Sequence, residues 1–417
     1  MRILWFTNTP SRASIAFGYK GSGGGWISAL EGLIVKEQKY KLGICFFYSG
    51  SDYKKLILDD VTYFAIPLKK QNGIQRIFSR QLSLLTDEES QYFDQVIEDF
   101  VPDIIHVFGT ESGYGKILIN KFDKIVFHMQ GLLKPYAEVY FPLGFSKKSI
   151  LKYSSTTSLI KGLSFFHGYL DLKKRAEREI DVVRHWKYFS GRTNWDRNYI
   201  KLLNNNSTYF HCDELLRKEF FEAQWSVPVN SDFKKCVIIG TTINPSIYKG
   251  LDLIYKVIPL LKDYNICWKI FGLEEDDTLN KVVRGTINKG YKNSSIQFCG
   301  ALGAAELITG LKTCHFFVHP SYIDNSPNSV CEAQLLGMPV LSSSVGGVSS
   351  LILNNVNGFL FNPYDSYDLA GLLVNLINNY AFALEAADNA RVTALKRHSP
   401  TEILKAVNHI YNTIYNA

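Results

Sequence analysis

The stretch richest in chemistry runs from His319 to Val340. It follows an apolar run and reads as a loop that opens a helix. Ser326 is the expected N-cap, Pro327 the first helical residue, where a missing N–H costs nothing, and Gly337 the stop. The free amides of Asn328 and Ser329 then stand at the helix start, where the macrodipole favours an anion such as a diphosphate. Glu332 falls in the second turn on the same side, where a carboxylate can accept two hydrogen bonds from a ribose diol. Asp324, eight positions earlier on the loop, sets a second carboxylate near a sugar ring beyond the phosphates.

These residues need strands to carry them. Apolar runs alternate with helix-like stretches: Arg2–Thr7, Leu42–Tyr48, Val61–Ile66, Asp103–Phe108 and Lys124–Met129, then Cys236–Ile239, Trp268–Phe271, Ile296–Cys299, His315–Val318, Pro339–Leu341 and Gly358–Phe361. That order predicts parallel sheets with crossover helices, and the near-continuous apolar character fits strands covered on both faces. Val227–Lys235 reads as a linker between two doubly wound α/β domains. Their strands' carboxyl ends are expected to face a central cleft. The expected boundaries are 1–228, 229–395 and a C-terminal helix over 396–417 packing back on the N-terminal domain.

Between the two strand series, from about Phe145 to Gln224, the sequence predicts a more helical region. It carries Lys147, Lys148, Lys152, Lys161, Lys173, Lys174 and Arg175, and up to Arg175 its only acid is Asp171. Two readings stay open: a solvated face of surface helices, or a basic amphipathic patch resting on an anionic leaflet.

Composition bounds the remaining choices. With 417 residues, 46% hydrophobic and 20% charged, the chain has apolar surface for a large core in each domain. A net charge of +7 favours an anionic substrate but falls short of a polybasic nucleic-acid binder. The seven cysteines lack C-x-x-C or C-x-x-H spacing, which argues against a disulfide framework or a zinc site and for a reducing cytosol. No signal-peptide core and no run of eighteen apolar residues is present, so a cytoplasmic location is the expectation, to which the second reading of the basic patch adds peripheral contact at the inner face of the plasma membrane. No D-x-D at a strand end and no ligand-spaced cluster appears, so no metal is expected.

The order Asp324, Glu332, Gly337-Met-Pro-Val340 and Gly346-Gly347 resembles the signature of family 4 retaining glycosyltransferases of the GT-B type. In that family the first acid is usually glutamate. The resemblance implies two Rossmann-like domains facing a central cleft, an N-terminal acceptor-side one and a C-terminal nucleotide-sugar-binding one. It implies that Asp324 reaches the donor sugar. Tyr248-Lys249-Gly250 resembles the family's Lys-Gly element, so Lys249 is assigned to the donor diphosphate as a point charge. Alone, Lys249 reads as an exposed helix-start lysine. Thr241, Thr242 and Asn244 fill the segment where the family has an arginine.

In the first domain, Gly21–Gly25 follows the first strand, and the resemblance brings the backbone at Gly24 and Gly25 close to the donor phosphate. The loop lacks dinucleotide spacing and Phe46–Ser49 stands where a ribose-binding acid would be, which disfavours hydride transfer. Pro102–Glu111 and His128–Gly131 resemble two segments of the bacterial capsular and O-antigen polysaccharide branch. They imply His128 beside the transferring sugar, His106 as a second sugar contact and Glu111 as orienting an acceptor hydroxyl. Phe108 replaces the second histidine of the commoner His-x-His, and a half-buried strand residue is the alternative for His106. Arg192 and Arg197 face either an acidic acceptor or buried ion pairs with Asp196 or Glu214.

The resulting expectation is transfer of a sugar from a nucleotide-diphosphate donor to a hydroxyl of a glycan or lipid-linked saccharide, with the anomeric configuration kept and no cofactor. A nucleotide-sugar epimerase of similar fold and a non-catalytic nucleotide-sugar-binding subunit are the alternatives.

Overall fold

The computed structural model describes residues 1–19, 25–68, 87–228, 233, 236–287 and 295–417, with 87–90 by backbone alone. The chain divides into two compact units. The first comprises Met1–Ala137, Leu170–Arg217 and His398–Ala417; the second comprises Glu138–Tyr169 and Lys218–Arg397. The expected linker at 227–235 lies largely outside the described residues.

The first unit is built on an eight-stranded sheet ordered β3-β4-β2-β1-β5-β6-β7-β8. Its strands are β1 Arg2–Thr7, β2 Lys41–Tyr48, β3 Lys54–Leu58, β4 Val61–Pro67, β5 Ile104–Phe108, β6 Ile125–His128, β7 Tyr188–Gly191 and β8 Thr208–His211. Every pairing is parallel except β3 with β4. All five residues of β5 and all four of β6 are buried, as strands with both faces covered must be. Three strands were not expected. β3 is an exposed antiparallel edge whose Lys54 and Lys55 discourage further pairing. β7 and β8 lie inside the stretch expected to be helical. Each has four residues, too few to show a period of two against the flanking helices Phe165–His185 and Asn194–Leu203.

The C-terminal helix Pro400–Tyr415 belongs to the first unit. It buries Ile403, Val407, Ile410, Tyr411 and Ile414. Trp5 Nε1 donates to Tyr411 Oη at 2.9 Å, tying this helix to the central strand β1.

The second unit carries a six-stranded, wholly parallel sheet ordered β11-β10-β9-β12-β13-β14. The strands are β9 Val237–Thr242, β10 Ile266–Phe271, β11 Ile296–Phe298, β12 Phe316–His319, β13 Val340–Ser343 and β14 Phe359–Phe361. The order reverses between β9 and β12, because β10 and β11 lie on one side of β9 while β12, β13 and β14 lie on the other. In open α/β sheets the crevice at the carboxyl ends of such strands is where ligands bind. Lys249 follows β9, and the stretch from Pro320 follows β12.

Candidate active site

In the second unit, β12 delivers its chain into the loop 320–327, and the helix Asn328–Leu336 begins at once. The start is shifted by one residue from expectation. Pro327, not Ser326, holds the cap position, with extended ψ of 116° and no side-chain cap. Its carbonyl already accepts from the amides of Val330 and Cys331, at 3.0 and 3.2 Å. The amides of Asn328 and Ser329 therefore occupy the first two helical positions, where no intrahelical acceptor exists. Gly337 closes the helix in the left-handed conformation, φ 83°. Glu332 sits in the second turn and is 93% buried, with 7% of its surface exposed.

Lys249 and Asp324 meet directly. Lys249 Nζ lies 2.6 Å from Asp324 Oδ2, and both side chains are largely buried. Burial works against charge in each partner, yet the pairing wins. The Asp324 carboxylate lifts the Lys249 ammonium above its ordinary value, while Lys249 and His319 hold Asp324 well below the usual carboxylate range. His319 Nε2 stands 3.2 Å from the same carboxylate oxygen, and burial lowers the imidazole's pKa. The loop is braced from beneath: Gly347 N donates to Asp324 O at 3.0 Å and Asn325 N to Asp324 Oδ1 at 3.1 Å.

Gly250 explains the Lys-Gly pair sterically. Its φ is +80°, and a Cβ there would stand 2.0 Å from the Pro320 carbonyl oxygen. Only glycine lets the loop carrying Lys249 approach the one after β12 so closely. Tyr322 N completes the contact by donating to Tyr248 O at 2.8 Å. Thr241 does not take the place of a phosphate-binding arginine. It is fully buried, donating to Val318 O at 2.9 Å and accepting from Trp268 Nε1 at 2.8 Å.

In the first unit His106 is the middle residue of β5, Glu111 lies three residues beyond that strand, and His128 is the last residue of β6. His128 is buried, with Nδ1 3.0 Å from Ser190 Oγ and its ring centroid 5.2 Å from Trp26. Burial, aided by Arg192, holds it neutral. His106 lies 6.1 Å away between ring centroids, stacked on Phe108, with Nδ1 2.8 Å from Tyr411 Oη. Burial pushes its pKa down to about 3. The Nε2 atoms of both imidazoles have no hydrogen-bond partner among the described residues. Glu111 turns back over Gly109, where a Cβ would meet Oε2 at 1.9 Å, and burial raises its pKa. Gly25 opens the helix Gly25–Glu37 with φ +39°. Gly24 and the rest of the glycine loop from Gly21 lie outside the described residues.

Arg192 forms a buried ion pair with Glu214, and Asp196 instead completes a capping box with Thr193 on the helix Asn194–Leu203. Two buried groups escaped the sequence reading. His319 ends the strand that feeds the loop, which was a usable signal. Glu179, on the helix Phe165–His185, gave none, because Arg178-Glu-Ile-Asp181 reads as a solvated helix face. It is fully buried, bonded to Thr110 Oγ1, Leu133 N and Tyr199 Oη. Among the described residues no group of three or more His, Cys, Asp and Glu could hold a metal ion.

Comparison with known proteins bears on the fold and on the span 234–379. The family model described as Glycosyl transferases group 1 matches residues 234–379, the span that contains Lys249, Asp324 and Glu332. The putative teichuronic acid biosynthesis glycosyltransferase TuaC of Bacillus subtilis is 32% identical over 104 residues, 25% of this chain and 26% of that protein. The chain spans from about a quarter to about half the length of the curated relatives it matches. Sucrose-phosphate synthase from Thermosynechococcus elongatus superposes with a TM-score of 0.73 at 13% identity, covering 100% of this chain and 99% of that one. HepE of Anabaena, solved in complex with UDP-glucose, superposes at 0.64 with 15% identity, covering 100% of both chains. The chain thus has the GT-B fold, and within its second unit residues 234–379 match the group 1 glycosyl transferases.

Proposed function

We propose that the chain is a metal-independent retaining glycosyltransferase. It moves a hexose from a nucleotide-diphosphate sugar to a hydroxyl of a glycan or lipid-linked saccharide. The observation that carries this reading is that, in the family-matched span, Lys249 pairs with Asp324 where the chain segments after β9 and β12 meet, and the helix that opens with the amides of Asn328 and Ser329 and bears Glu332 follows directly. Departure of the nucleotide places negative charge on the diphosphate and positive charge on the anomeric carbon. Lys249 and the helix start supply fixed positive potential for the former, in a setting where little reorganisation is needed.

Glu332 accepts the ribose diol of the donor. Asp324, one methylene shorter than the family's usual glutamate, keeps the buried Lys249 charged and aimed. It thereby acts as a positioning residue as well as lying near the donor sugar. His128, His106 and Glu111 serve the sugar and the acceptor hydroxyl, with the neutral imidazoles offering hydrogen bonds rather than charge. Retention follows the resembled family, with the acceptor proton passing to the departing phosphate and no protein nucleophile required. The names of relatives such as TuaC support a role in polysaccharide assembly.

The test is a screen of UDP-, GDP- and other nucleotide sugars by thermal shift, followed by product analysis with candidate acceptors in the presence of a chelator. A glycosylated product of unchanged anomeric configuration, formed with the chelator present, is expected. Donor turnover without an acceptor, as an epimerase would give, or loss of transfer restored by divalent ions, would contradict it.

A further inference from the structure

The segment Glu138–Tyr169 belongs to the second unit, and its inner side is built into that unit's core. Phe145 and Ile150 are core residues, with Phe141, Tyr153, Phe165 and Phe166 packed against the same cluster. The short helix Lys147–Tyr153 is closed by a capping box between Ser146 and Ser149. It lies on the helix Thr278–Ile287. At Gly285 of that helix a Cβ would stand 2.4 Å from the Tyr153 ring, so glycine permits the close seating. This is a rigid mount.

The outer side has an unusual composition. From Val139 to Leu170 there is no Asp or Glu, while Lys147, Lys148, Lys152 and Lys161 are all exposed. No ion pair engages these four among the described residues. Close to them in the sequence, Leu143, Ile160 and Leu163 are 72%, 71% and 55% exposed. A solvated helix face normally mixes both signs of charge and leaves few aliphatic side chains in water. The other basic residues of the region differ. Lys173, Lys174 and Arg175 stand on the first-unit part of the helix Phe165–His185, with Asp171 before them and Glu177, Glu179 and Asp181 after, and Arg175 pairs with Asp171 at 2.6 Å.

We propose that the outer face of 143–163 is a docking surface for a bilayer rich in anionic phospholipid, the lysines meeting headgroups while Leu143, Ile160 and Leu163 enter the acyl boundary. Cations without acids complement a negative leaflet, and aliphatic side chains among them match its interfacial depth. The proposed contact is peripheral, and among the described residues no single helix is long and apolar enough to cross a membrane. The surface is independent of the transfer chemistry and is tested without it.

The experiment is co-sedimentation of the full chain with phosphatidylcholine vesicles and with vesicles containing phosphatidylglycerol. Wild type is expected to bind the anionic vesicles roughly a hundredfold more tightly at low salt, the preference fading as salt rises. Reversing Lys147, Lys148, Lys152 and Lys161 to Glu removes that preference, and neutralising them to Gln, a milder change to the fold, weakens it. Leu143→Ser with Ile160→Ser and Leu163→Ser lowers binding at least about tenfold. Reversal at Lys173, Lys174 and Arg175 leaves it unchanged. The proposal is overturned if wild type fails to prefer anionic vesicles, if the lysine or aliphatic variants bind like wild type, or if the 173–175 reversal alone abolishes binding. Capture by heparin or RNA without vesicle binding, which would mark a polyanion site, overturns it as well.

Discussion

Replacing Asp324 by Asn leaves Lys249 as a buried ammonium beside a neutral amide and a lowered-pKa imidazole. The Lys249–Asp324 contact is 2.6 Å, with side-chain exposures of 16% and 10%, so solvent screens it little. Removing one partner of such a pair costs about 3–5 kcal/mol, and since Asn can still accept a hydrogen bond the lower end, about 3 kcal/mol, applies. For a unit of roughly two hundred residues that corresponds to a fall in melting temperature of about 6–12 °C. The measurement is thermal unfolding as a function of pH. Because the folded-state pKa of Asp324 is depressed, its stabilisation is complete above the ordinary carboxylate pKa of about 3.9 and is lost as pH falls below it. The gap between wild type and variant should therefore be full at pH 7 and narrow below about pH 4. The double variant Lys249→Met with Asp324→Leu should recover most of the stability while donor binding stays lost, since an apolar pair of similar volume replaces a buried ion pair at little cost. An Asp324→Asn variant that melts within 2 °C of wild type at pH 7 would refute the reasoning.

Two further outcomes follow from buried polar groups in the first unit. Tyr411→Phe strands Trp5 Nε1 and His106 Nδ1, so urea denaturation should show a loss of about 2–5 kcal/mol; a loss below about 0.5 kcal/mol would contradict the network. Burial, reinforced by Glu111, pushes Glu179 up to about 7 even though Thr110, Leu133 and Tyr199 donate to it. The fold then binds more protons than the unfolded chain between about pH 4.3 and 7, so this carboxyl lowers stability as pH rises through that window, by about 4 kcal/mol in all. Glu179→Gln should flatten that part of the pH–stability profile and be the more stable protein at pH 8; an unchanged slope would place the titration elsewhere.

Long buried strands were legible in the sequence, because β1, β2 and β4 are apolar on both faces. So was the loop before Asn328, where proline, small polar residues and a closing glycine mark a helix start. The single-residue shift of the cap was not legible, since Ser326 and Pro327 both suit a helix entry and the backbone decides between them. β7 and β8 were hidden because their four residues take their strand character from neighbours in the sheet rather than from a period of their own. The Lys249–Asp324 contact joins residues 75 apart and depends on Gly250 letting two loops approach, a three-dimensional fact with no one-dimensional trace. Glu179 looked like a surface carboxylate, because its partners come from three separate segments.

The central claim is that the helix start at Asn328 grips a diphosphate while Glu332 holds the attached ribose. Titration calorimetry of the preferred nucleotide against wild type and Glu332→Ala tests it most directly, repeated with the analogue lacking the ribose diol. Loss of two hydrogen bonds to a carboxylate should weaken the full nucleotide by about 3–4 kcal/mol, more than a hundredfold, and leave the diol-free analogue nearly unaffected. Equal affinities of wild type and Glu332→Ala for the full nucleotide would contradict the account.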